Sequence, residues 1–117
     1  MNVATYDKSA VGFSLACIAH CVALPALAIA APMVAIVAEA EWIHWLFTAL
    51  AICSTGLVIA KAHDARNPLF LAPALIGLAI LGSALFVEHV GVDETWPTLI
   101  GGAILASAHI LRLLKHR

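Results

Sequence analysis

The amino-acid sequence predicts an all-α integral membrane protein, a bundle of four transmembrane helices with both termini in the cytoplasm. Three observations predict it. The 117-residue chain is 63% hydrophobic and 11% charged, with a mean hydropathy of +1.02, whereas a soluble domain is about half apolar and about a quarter charged. The apolar residues fall into four runs, each near or above the ~20 residues that cross a bilayer. The connections EAEW, KAHDARNP and EHVGVDET are too short to hold a soluble domain. Residues 1–117 therefore read as one membrane domain. The runs are continuously apolar rather than alternating, which favours helices over a closed barrel.

The first helix is expected over about 10–37, after Lys8. Its apolar run is far longer than the ~7–15 residues of a signal-peptide core, so a retained span is expected. The second helix is expected over about 43–60. Trp42 and Trp45 stand at its start, as in an interfacial aromatic belt. The third covers about 69–87 and contains Gly77 and Gly82. The fourth covers about 96–114 and begins with Trp96. It carries Gly102/Ala106 and Ala103/Ser107, small-residue pairs that let helices approach closely and suit a homo-oligomer.

Orientation follows from charge. Lys8, Lys61, Arg66, Arg112, Lys115 and Arg117 all fall on one side of a four-span topology. The other side holds Glu39, Glu41, Glu88, Asp93 and Glu94 and no Lys or Arg. The positive-inside rule makes the basic side cytoplasmic, as expected for a multi-pass protein of a bacterial inner membrane. The net charge is −1 and the basic residues are scattered, which argues against a nucleic-acid partner. The bilayer itself is the expected surrounding.

The chemistry concentrates in the stretch CIAHCVALP. Cys17, His20 and Cys21 are spaced i, i+3 and i+4, so they share one helix face within about one turn. Thiolate and imidazole together suit thiophilic ions such as Hg(II), Cu(I), Cd(II) and Zn(II). Pro25 removes the hydrogen bond to the carbonyl of Cys21, which predicts a kink and an open polar group at the cluster. Cysteine alone is common apolar filler in helices. An ionisable His20 in mid-span is not, and it turns the cluster into a candidate ion site. Three ligands from one turn leave a fourth position. His109 lies about five residues from the inner end of helix four, close in depth to Cys17, and is the expected fourth ligand. The alternative for His109 is an imidazole reaching for the inner interface. Cys53 reads as packing. Glu39, Glu41, His44, Glu88, His89, Asp93 and Glu94 read as an acidic, imidazole-bearing outer rim. His63, Asp64 and His116 read as solvated inner residues, with receipt of the ion as the alternative.

The stretches SLACIAHCVALP, EWIHW, KAHDAR and GGAILASAHILR, with a histidine late in helix four, make the chain resemble the MerC family over almost its whole length. The resemblance implies a small four-helix inner-membrane protein of mercury uptake. Mercury-operon members carry a second cysteine pair in a cytoplasmic tail, and residues 1–117 contain none.

The expected function is uptake of a thiophilic divalent ion, Hg(II) first and Zn(II) as close rival. The ion is substrate rather than cofactor, and a cytoplasmic metal acceptor is the partner that inward transfer calls for. No nucleotide motif is present, no organic cofactor is expected, and the chain does not read as an enzyme. A membrane thiol-redox or metal-sensing protein is a further alternative. It is disfavoured because i,i+4 Cβ atoms stand ~5–6 Å apart where a disulfide needs ~4 Å. An accessory bundle that binds no ion also remains open.

Overall fold

The computed structural model describes residues 2–31, 33 and 40–116. Within them the chain is helical. Helix α1 runs Val3–Ala30, α2 Glu41–Lys61, α3 Pro68–Val87 and α4 Thr95–Lys115. Short 3₁₀ turns at His63–Arg66 and Glu88–Val90 complete two of the connections. Among the described residues, α2, α3 and α4 are long and apolar enough to cross a membrane. At 28 residues, α1 extends ~42 Å at ~1.5 Å per residue, more than a bilayer's ~30 Å hydrocarbon core. Helix α1 runs unbroken through position 25, where the sequence predicts a kink; Glu39 lies outside the described residues, as do the side chains of Pro25 and Glu88.

The first helix starts seven residues earlier than the sequence suggests. The Asn2 side chain caps it by accepting from the Thr5 amide at 3.1 Å, satisfying a donor that the first turn leaves open. The Ser9 hydroxyl then donates back to the Thr5 carbonyl at 2.9 Å. Tyr6, Asp7 and Lys8, which precede the expected helix, are thus helical.

The helices pack in a ring. Helix α4 lies against both α1 and α3, α1 against α2, and α2 more lightly against α3. The closest approach is between α3 and α4. A Cβ on Gly101 would stand 2.7 Å from the Leu81 amide nitrogen, and one on Gly77 would stand 2.9 Å from the Leu105 amide nitrogen. The two backbones touch there, so glycine is required on both sides. Gly102 faces α1 instead, beside Ile18 and Ser14. Ala103 and Ser107 lie exposed on the outside of the bundle, and a Cβ on Gly82 would meet nothing.

A small apolar core of Ala51, Val58, Phe70, Ala74, Leu81, Leu105 and Ala108 fills the space among α2, α3 and α4. Large apolar side chains such as Leu15, Val22, Ile76, Phe86 and Leu111 point outward, as a lipid-facing surface requires. Trp42, Trp45 and Trp96 are exposed together at one end. Lys61 lies 5.7 Å over the Tyr6 ring, and Arg112 reaches Asp64 and Asp7. These contacts put the start of α1, the end of α2 and the end of α4 at the same, basic end of the bundle.

Candidate metal centre

The buried face of α1 carries Asp7, Ala10, Ser14, Cys17, His20 and Cys21. Apart from His20, their spacing is a strict three-and-four repeat, so one stripe faces the bundle along its length. The stripe is polar at both ends. Its two ends are two different sites.

The outer site holds three of the expected residues. Cys17 is 2% exposed, and Cys21 and His20 are also buried. Both thiols are free. Helix α2 supplies a partner that the sequence assigned to the rim. The His44 Nε2 stands 3.4 Å from the Cys21 Sγ. The His44 and His20 rings meet edge to face at 5.0 Å between centroids, and Phe47 closes against His20. Glu94, at the start of α4, places its Oε1 3.1 Å from the His44 Nδ1. A carboxylate at Nδ1 favours the proton there and leaves Nε2 as the basic nitrogen toward the thiol. Glu94, His44 and Cys21 thus form a carboxylate–imidazole–thiol line, in which the imidazole can take the thiol proton when a metal arrives.

The inner site holds His109. The sequence places His109 level with Cys17 because it starts α1 at about residue 10. With α1 starting at Val3, the residue level with His109 is Asp7, ten positions and ~15 Å before Cys17. The His109 Nδ1–H donates to the Asp7 Oδ1 at 2.6 Å, and its Nε2 meets the Thr55 hydroxyl at 3.1 Å. Asp7 and His109 are both 0% exposed. Both ring nitrogens are therefore engaged away from the cysteines, and His109 does not complete their site. The Arg112 guanidinium bonds Asp7 and also grips Asp64, with Nε to Oδ2 at 2.9 Å and Nη2 to Oδ1 at 3.0 Å. The His116 Nε2 donates to Asp64 at 2.7 Å. Phe70 lies edge-on to His109 and beneath Arg112. The Arg112 hydrogen bonds, with help from His116, hold the Asp64 carboxyl down at about 2.

Cys53 is exposed on α2. His63 and His89 are exposed as well. Among the described residues, no three His, Cys, Asp or Glu side chains are arranged to hold an ion as they stand.

The sequence reading placed His44 and Glu94 on the outer rim rather than against the cysteines, and it missed Asp7 and Thr55. A signal for Asp7 existed, since it lies on the same repeat as Ser14, Cys17 and Cys21. For His44 there was none, because its pairing depends on how α2 is rotated against α1.

A family model described as MerC mercury resistance protein matches residues 7–114, nearly the whole chain. The chain belongs to the MerC family. This makes it a multi-pass membrane protein of a mercury-resistance and transport family, and MerC is not known as a family of enzymes. The MerC match covers the outer cysteine site and all of the inner ion-pair site except His116. Neither a curated protein nor a solved structure matches the chain at a significant level.

Proposed function

We propose that the protein carries a thiophilic divalent ion, Hg(II) first, inward across the cytoplasmic membrane by ligand exchange at Cys17, Cys21, His20 and His44. The observation that carries this reading is the buried meeting of Cys21 with His44, one turn from Cys17, in a helix bundle of the MerC family. Burying two imidazoles beside two thiols within the bundle is costly without a purpose for them, and the partly exposed Glu94 reaches one of them from the start of α4. The side chains are held by one another rather than preset around an ion, so loading requires the thiols to rotate toward it. His44 accepts a released proton, and Glu94 stabilises the resulting imidazolium. The basic end of the bundle faces the cytoplasm by the positive-inside rule, which puts Glu94 and His44 on the side where the ion enters. Movement is driven by the gradient, by the membrane potential or by a cytoplasmic acceptor that traps the ion.

A second reading has its own support. Two cysteines and two histidines from adjacent helices form a common zinc set. Hg(II) is satisfied by two thiolates and gains little from imidazole. Zn(II) is therefore the rival substrate.

Metal counted on the purified protein tests the site. The parent is expected to retain about one Hg(II) against a weak thiol competitor. Cys17→Ser and Cys21→Ser replace a soft thiolate by a poor ligand of similar shape, and each should lose that ion while the protein stays folded. Equal retention in both variants would reduce the cluster to packing.

A further inference from the structure

We propose that Asp7, His109, Asp64 and His116 form a second, inner station for the transported divalent ion, and that Arg112 is a tethered cation occupying it when no ion is there. The proposal rests on the inward-transport reading above, but its test does not use the cysteine pair.

Asp7 and His109 are completely buried, and Arg112 nearly so. A plain structural clasp needs one acid and one base. Here one guanidinium bridges two carboxylates from different segments, and each carboxylate also binds an imidazole, Asp7 with His109 and Asp64 with His116. Two carboxylates and two imidazoles are donor types that a divalent transition ion accepts; as they stand no three of them converge on one point, so the ion must draw them together as Arg112 leaves. In this structure a positive side chain holds the carboxylates. An ion entering from above must displace it.

Two further observations point to a ligand. A cavity of about 380 Å³ at the basic end of the bundle is lined by Asp7, Asp64, Arg112 and His116, with Lys61 and His63 beside them. Ser14, on the stripe between the two sites, is 1% exposed, and its hydroxyl has no hydrogen-bond partner among the described residues. A buried hydroxyl of this kind calls for a water or a hydrated ion. It lies ~4–5 Å along the helix from Cys17 and ~10 Å from Asp7. The donors change along this line from sulfur to oxygen and nitrogen. A soft ion is held less tightly by the harder set, which suits a station from which it leaves.

The test uses Zn(II) as probe and the Cys17→Ser/Cys21→Ser protein, in which the outer site is disabled. Equilibrium dialysis should find one weakly bound Zn(II), and X-ray absorption should show only nitrogen and oxygen neighbours. Adding Arg112→Gln should tighten this ion about tenfold or more, a shift of the size that neighbouring groups commonly exert on metal sites. Arg112→Lys should also tighten it, since a lysine cannot bridge both carboxylates, and it serves where the Gln variant fails to fold. Asp7→Asn or His109→Gln should abolish the ion. No Zn(II) at millimolar concentration in the double-serine protein would overturn the proposal, leaving a structural clasp. So would Zn(II) that survives both Asp7→Asn and His109→Gln. Loss of the outer ion on the parent, by contrast, bears only on the transport reading.

Discussion

Each residue of the outer site has a distinct job that a substitution can separate. His44 touches Cys21 and is itself set by Glu94, whereas His109 is spoken for by Asp7 and Thr55. His44→Ala should therefore weaken Hg(II) or Zn(II) affinity about tenfold or more. His109→Ala should leave affinity at the cysteine pair within about twofold, because that pair lies ~15 Å away along α1. Competition with a metal-binding dye on purified protein measures both. The reverse ranking would restore His109 as the fourth ligand. The sequence shows that Cys17, His20 and Cys21 share one helix face, because a helical spacing within one segment is local information. It did not reveal His44 or displace His109, because both depend on the depth at which separate helices meet.

At the scale of the elements, the apolar runs were legible and one boundary was not. The starts and ends of α2, α3 and α4 lie within two residues of their expected positions, since a bilayer imposes sharp changes of polarity there. The start of α1 lies in a polar stretch, and only the Asn2 cap and the burial of Asp7 fix it. The contact between α3 and α4 gives a sharp test. Gly101→Ala drives a methyl into the Leu81 backbone and should destabilise by ~1–3 kcal/mol or more, as overpacking does. Gly82→Ala meets nothing and should be neutral or slightly stabilising, since alanine suits a helix better than glycine. Thermal unfolding in detergent, followed by circular dichroism, compares them. The clasp between Asp64 and α4 predicts an acid response. The Asp64 carboxyl is held below its ordinary value of 3.8, at about 2, by Arg112. A depressed carboxyl stabilises the fold above the ordinary value and loses that contribution as pH falls from about 4 to about 2. Acid unfolding should therefore show a component in that window that Asp64→Asn removes. An identical acid profile in the variant would mean that the clasp does not support the fold.

On the scale of the whole molecule, charge, aromatic residues and polar groups agree on one axis. The basic residues of the helix ends gather at one end of the bundle, with Trp42, Trp45 and Trp96 at the other. Between these ends a polar line descends from Glu94 and His44 through Cys21, Cys17 and Ser14 to His109 and Asp7. A bundle built only to anchor something would have no need of that line. The central claim is that the line moves a soft ion inward. Its most direct measurement is the accumulation of Hg(II) and, in parallel, Zn(II) at low external concentration in cells that lack their own uptake systems for both. The parent should raise Hg(II) accumulation, and Cys17→Ser/Cys21→Ser should abolish the rise. A rise confined to Zn(II) would correct the substrate. Accumulation of both ions unchanged by expression of the parent, or a rise that survives loss of both cysteines, would contradict the account.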